Sequence, residues 1–112
     1  MSDLDSAFAA LADPARRAIL ARLALGEATV MEIAEPFAMT QPAISRHIKV
    51  LEEAGLIVRR QEGTRRPSRL SSQGIDAIDQ WLETLRAALT KNYERLDQVL
   101  ADRTPKTVLE DS

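Results

Sequence analysis

Between Ile75 and Leu100 an apolar side chain recurs every three or four residues: Ile75, Ile78, Leu82, Leu85, Leu89, Tyr93, Leu96 and Leu100. That period is one face of an α-helix and predicts a helix from Ser72 to about Ala101, roughly 45 Å long at 1.5 Å per residue. In a chain of 112 residues a stripe of this length exceeds what the remaining sequence can cover with its own core, so it calls for a partner helix. The 71 residues before it must therefore hold the whole of the compact core. Aromatic residues make up only 4% of the chain, so that core is aliphatic, and only four glycines interrupt an alanine- and leucine-rich helix-forming composition.

The segment before the stripe breaks into short pieces. A first helix is expected over about Leu4–Leu11, with Phe8 and Leu11 facing inward. Asp13-Pro14 marks the next start: an aspartate accepts the first free amides, and proline at that place has no needed N–H to lose. The second helix runs to about Leu25 on Ile19, Leu20 and Leu23. A third covers Val30–Glu35, presenting Val30, Ile33 and Ala34, and Pro36 is expected to end it by forcing Glu35 out of helical dihedrals. After the linker Phe37-Ala38-Met39, Thr40 is an N-cap for a fourth helix with Ile44, Ile48 and Leu51 on its inner face and Gly55 at its close. The pattern then changes to a hairpin: a strand over Leu56–Gln61, a Gly- and Arg-rich turn over Glu62–Pro67, and a returning strand over Ser68–Ser71. The tail from Arg103 to Ser112 has no periodicity and is expected to be disordered, which makes residues 1–102 one domain.

Cysteine is absent and there is a single histidine, which removes disulfides, thiol nucleophiles and thiolate metal sites. No signal-peptide pattern occurs in Met1–Ala12, and no stretch approaches the roughly 18 apolar residues of a membrane span, so the expected compartment is the cytoplasm. The formal net charge of −2 argues against a nucleic-acid partner until its distribution is considered. From Gln41 to Leu70 seven basic residues (Arg46, Lys49, Arg59, Arg60, Arg65, Arg66 and Arg69) face three acids, Glu52, Glu53 and Glu62. A basic block in an acidic chain is an electrostatic footprint that the whole-chain charge conceals.

Two short helices followed by a hairpin with a basic tip form the layout of a winged helix-turn-helix: mainly α, with a small β-hairpin. With Ile44, Ile48 and Leu51 inward, the fourth helix turns Thr40, Gln41, Pro42, Ser45, Arg46 and Lys49 outward. Glutamine pairs bidentately with adenine, arginine with guanine, and serine and lysine reach base edges or phosphates. Arg65 and Arg66 on the wing suit phosphates or an adjacent minor groove, with Thr64 beside them. Arg59 and Arg60 are consecutive on a strand, so only one can face the DNA side, and Arg59 is the candidate. His47, at the edge of the buried stripe, reads as a packing or phosphate-contact residue rather than a metal ligand. Ser45 and His47 project about 200° apart on a helix, so they form no catalytic pair and no enzyme is expected.

Phe8-Ala-Ala-Leu-Ala-Asp-Pro-Ala-Arg-Arg-Ala-Ile-Leu20 and Met39-Thr-Gln-Pro-Ala-Ile-Ser-Arg-His-Ile-Lys-Val-Leu-Glu-Glu-Ala-Gly-Leu-Ile57 resemble the ArsR family of dimeric bacterial transcriptional repressors, over roughly Leu4–Leu100. The resemblance implies a homodimer that reads an inverted-repeat operator in double-stranded DNA through a helix at about 41–54 and a wing at about 62–67. It also implies repression by promoter occupancy, with autorepression in some members of the branch, and protomers joined through the first and last helices. The dimer candidates are Leu4, Phe8, Leu82, Leu85, Leu89 and Tyr93, with Trp81 as a further core or interface anchor. Metal-sensing members carry a Cys-x-Cys pair on the third helix, where this chain has Thr29 and Met31; another metal site uses Asp and His on the last helix, where it has Asp76 and Asp79 but no histidine. No metal or other cofactor is therefore expected, and no inducer is defined. Two rival readings stand beside this one: a winged protein-interaction module that holds an acidic partner, and a metal-responsive sensor using carboxylates or His47.

Overall fold

The computed structural model describes residues 3–102; the tail expected at 103–112 lies outside them. Five helices and one hairpin follow in the order α1 (Asp3–Leu11), α2 (Pro14–Leu23), α3 (Val30–Ala34), α4 (Gln41–Glu53), β1 (Ile57–Arg59), β2 (Ser68–Leu70) and α5 (Ser72–Asp102). Two compact units divide at Asp79 and Gln80, the second consisting, among described residues, of the helical stretch from Gln80 onward. No helix among the described residues is long and apolar enough to cross a membrane.

The helix starts follow their capping chemistry. Asp13 accepts the amide of Ala15 at 2.7 Å, with Pro14 opening α2. Thr40 accepts the amide of Ala43 at 3.2 Å ahead of α4. Thr29 and Glu32 form a reciprocal capping box on α3: the Thr29 amide donates to Glu32 Oε1 at 2.8 Å, and the Glu32 amide donates to Thr29 Oγ1 at 3.3 Å. This T-x-x-E signal stands in the sequence at Thr29–Glu32, ahead of the apolar residues of α3. At the other end of α4 the Leu56 amide reaches Leu51 O and the Gly55 amide reaches Glu52 O, both at 3.0 Å, a Schellman closure that requires the left-handed Gly55 at φ +75°.

Five expectations need correction. α1 buries Ala7 and Ala10 fully while Phe8 is 39% exposed, so the helix lies close against its neighbours on its small-residue face; Leu11, half-buried, packs against the core as expected. α2 stops at Leu23 and leaves Leu25 exposed. Glu35 keeps helical dihedrals (φ −51°, ψ −48°) although Pro36 follows it. α3 ends instead because Pro36 has no N–H to donate, and the chain closes the turn with the Phe37 amide on Ala34 O at 2.9 Å. The connection to α4 is thus Glu35–Thr40, longer than a three-residue linker. Both strands are shorter than expected, three residues each, with Ile57 opposite Leu70, Val58 opposite Arg69 and Arg59 opposite Ser68. The ladder ends early because Pro67 accepts the Arg60 amide at 3.1 Å but has no N–H to return, while on its other edge β2 pairs Ser68 N and O with Ala28 at 2.8 and 3.0 Å.

Ile19, Ile33, Ile44, Ile48, Leu51, Leu56 and Ile57 are fully buried in one cluster with Ala10, Leu23, Ala28 and Ala54. Each large member contributes on the order of 1.5–3 kcal/mol through apolar burial. Because the cluster draws on α1, α2, α3, α4, β1 and the Ala28 bridge, α3 and α4 are clamped to the hairpin through shared apolar contacts.

Candidate nucleic-acid interface

Helix α4 divides its residues cleanly. Ile44, Ile48 and Leu51 are fully buried, whereas Gln41, Pro42, Arg46 and Lys49 are exposed and Ser45 is half-buried. The positions 42, 45, 46 and 49 share one helical face, and Thr40 and Gln41 sit at its N-terminal end. Thr40 spends its hydroxyl oxygen on the cap while remaining exposed. Arg46 and Lys49 form no hydrogen bond or ion pair among the described residues, so both charges face solvent.

His47 is turned away from this face. It is half-buried, and its Nδ1 lies 3.3 Å from Nη1 of Arg16 on α2. Arg16 also donates from Nε to Ala10 O at 2.7 Å and from Nη2 to Ala9 O at 3.2 Å, and stands 3.6 Å from Asp13. One guanidinium therefore ties the end of α1 and the start of α2 to the recognition helix. Sequence reasoning gave Arg16 no role; its signal was its place three residues after the N-cap Asp13, where it meets the orphan carbonyls of the preceding helix.

The wing is a two-residue turn, Gly63-Thr64, closed by reciprocal Glu62–Arg65 backbone bonds of 2.9 Å, with Gly63 at φ +61° in the left-handed region such a hairpin uses. Arg65 and Arg66 are exposed at its edge. Arg65 pairs with Glu62 at 3.3 Å and Glu32 at 3.6 Å, whereas Arg66 has no ion-pair partner among the described residues. Arg59 ends β1 and Arg60 lies just beyond it, and their side chains reach different partners. Arg60 binds Glu27 and Glu62, holding the Glu27 carboxyl below the usual glutamate range through the Arg60 hydrogen bond, and its own guanidinium is correspondingly raised. Arg59 turns the other way, its side chain 16% exposed and 3.9 Å from Glu52.

Of the residues singled out at the ends of the chain, Leu4 is half-buried and Phe8 exposed on α1. On α5, Leu82, Leu85, Leu89 and Tyr93 are all exposed, from 38% at Leu82 to 65% at Tyr93, and Leu96 and Leu100 continue the same row. Among the described residues no group of three or more His, Cys, Asp or Glu stands close enough to hold a metal ion. Thr29 has its side chain committed to the α3 cap.

A helix-turn-helix with a basic hairpin wing, and an exposed polar and cationic face on its second helix, is the architecture of a DNA-binding transcriptional regulator. Residues 11–60 match the helix-turn-helix domain family. Over 100 residues the chain is 39% identical to the HTH-type transcriptional regulator Rv2034 of Mycobacterium tuberculosis, covering 89% of this chain and 94% of that protein. It is 30% identical over 86 residues to the arsenical resistance operon repressor of Staphylococcus xylosus, covering 77% and 83%. Among solved structures, the ArsR family transcriptional regulator RHA00566 superposes with a TM-score of 0.73 at 39% identity, covering 79% of this chain and 91% of that one. The homodimeric winged helix-turn-helix DNA-binding domain Mb0332 of Mycobacterium bovis superposes with a TM-score of 0.62 at 28% identity, covering 76% and 79%. The chain belongs to the ArsR family of winged helix-turn-helix transcriptional regulators.

Proposed function

We propose that this regulator is a cytoplasmic homodimeric repressor whose two α4 helices enter successive major grooves of an inverted-repeat operator. The observation that carries the reading is the face of α4 on which Gln41, Arg46 and Lys49 are exposed, with both cations unpaired. Gln41 and Arg46 are the base-reading residues, Thr40, Pro42, Ser45 and Lys49 line the groove and its phosphates, and Arg65, Arg66 and the more enclosed Arg59 serve the flanking backbone. His47 supports the helix from behind through Arg16.

Residues 1–102 act as the DNA-binding and dimerisation domain. A single helix-turn-helix reads only a few base pairs, and two half-sites about 34–36 Å apart need a rigid spacer between recognition helices. The exposed row Leu82, Leu85, Leu89 and Tyr93 on α5, aided by Leu4 and Phe8 on α1, supplies that interface; an apolar stripe of this length left in water is the sequence of a helix that has a partner. The homodimeric relative supports the same assembly. Repression follows from promoter occupancy, a reading supported by the repressor among the relatives. No thiolate pair exists to sense arsenic or cadmium, so binding is independent of such metals.

Selection of bound duplexes from a random pool tests the reading. Enrichment of one inverted repeat with half-sites a helical turn apart is the expected result. Absence of any enriched sequence would overturn it in favour of a protein-binding module.

A further inference from the structure

Two of the chain's three methionines, Met31 on α3 and Met39 in the connection to α4, line one open groove of about 460 Å³ together with Glu32, Ala34, Glu35 and Gln41. Cysteine is absent, so thioethers are the sulfur that an oxidant meets on this chain. The two differ in what they hold. Met31 is 67% exposed. Met39 is half-buried, packs against the apolar core cluster as Phe37 does, and directly precedes Thr40, whose hydroxyl accepts the Ala43 amide to cap α4. A thioether is apolar and adaptable, whereas its sulfoxide is polar and chiral and loses its hydrogen bonds to water wherever it is pressed against aliphatic side chains. The groove therefore gives a small oxidant access to a side chain whose apolar packing fixes where α4 begins.

We propose that Met39 is a reversible oxidation site through which peroxides release this regulator from DNA. The sulfur lone pair takes one oxygen of hydrogen peroxide, the O–O bond breaks, and the other oxygen leaves as water once a proton has moved to it. The thioether is thereby oxidised by two electrons to the sulfoxide, and the peroxide is reduced. At Met31 the new S=O stays in water and changes little. At Met39 it pulls the connection away from the core, and the Thr40 cap and the adjacent Gln41 move with it. Methionine sulfoxide reductases reverse the step. The modification itself is a property of the free chain; only its effect on DNA rests on the operator reading.

The test treats the full chain with hydrogen peroxide and follows three readouts: peptide mapping of the sulfoxides, the backbone amide resonances of Thr40, Gln41 and Ala43, and affinity for the selected operator. Oxidation should appear at Met31 first and then at Met39, and the three amides should move only as Met39 is converted. Operator affinity should fall about tenfold, the scale of losing one helix cap, and should return after treatment with sulfoxide reductases. Met39→Leu, which keeps the volume and cannot take oxygen, should hold its affinity through the same dose, while Met31→Leu should lose it as the parent does. A Met39 that resists peroxide, a Met39 sulfoxide that leaves the amides and the affinity unmoved, or a Met39→Leu variant that responds like the parent would each overturn the proposal. An untreated parent that selects no operator would overturn the functional reading instead, and the Thr40, Gln41 and Ala43 amides would still decide the oxidation site, whether or not the leucine variants fold.

Discussion

Nη1 of Arg16 lies 3.3 Å from Nδ1 of His47, and because a guanidinium can only donate, the imidazole nitrogen is the acceptor in this contact. The contact joins α2 to the recognition helix across a separation of 31 residues. Arg16→Met removes this bond and the two donated to Ala9 O and Ala10 O, and should lower stability by about 2 kcal/mol in denaturant unfolding. His47→Ala should cost less, about 1 kcal/mol, since the Ala9 and Ala10 bonds survive. The double variant should fall short of the sum by roughly 0.5–1 kcal/mol; strict additivity would show that the two side chains do not act together.

Gly74, in the first turn of α5, donates its amide to Gly55 O at 2.8 Å, and a Cβ there would stand 2.8 Å from Ala54 O and 3.0 Å from Leu56 Cδ2. Backbone cannot yield as a side-chain tip can. Gly74→Ala should therefore destabilise by about 1–3 kcal/mol despite alanine's better helix propensity. A melting temperature at or above that of the parent would mean that the close approach is not maintained in solution.

Arg46→Ala and Gln41→Ala should each weaken operator binding by about 1–3 kcal/mol and relax sequence preference, with unfolding midpoints unchanged because both residues are exposed. Lys49→Ala should instead weaken operator and random DNA alike and flatten the salt dependence by about one unit. If the alanine variants at 41 and 46 bound the selected operator as tightly as the parent, a different face of α4 would have to read the bases.

Leu85 and Leu89 are exposed in the isolated chain, so a charge at either position costs little in a monomer and several kcal/mol, on the order of 2–7, if it must be buried unpaired in a dimer. Leu85→Glu and Leu89→Glu should yield folded monomers that lose specific DNA binding. The parent should sediment near twice 12.4 kDa. A parent that stayed monomeric both free and on its operator would remove the twofold arrangement.

Acid stability tests the capping and ion-pair carboxylates. The Ala15 amide holds the Asp13 carboxyl below its ordinary value, the Arg60 guanidinium does the same for Glu27, and the Thr29 amide for Glu32. The unfolded chain thus takes up protons at a higher pH than the folded one. The stabilisation is complete above the ordinary carboxylate values of 3.8 and 4.5 and is lost as pH falls through the lower folded-state values. Glu27→Gln should shallow the decline in melting temperature over that acid range and leave its shape at higher pH unchanged; an identical acid profile would show that the Arg60 pair is not made in solution.

The order of elements, the caps at Asp13 and Thr40, the buried row Ile44, Ile48 and Leu51, and the exposed polar face of α4 were all legible in the sequence, because helix periodicity and capping are set by neighbours within one or two turns. The α5 stripe was legible for the same reason, and its exposure in the chain agrees with a pattern too long for one small core. What the tertiary structure decided depends on residues far apart in the chain. It chose Ala7 and Ala10 over Phe8 for the inner face of α1, since close approach favours small side chains where helices meet. It also brought Ala28 beside Ser68, Arg16 to His47, and Arg59 into one groove with Arg66. No local pattern encodes those meetings, because each is fixed by how the whole core packs.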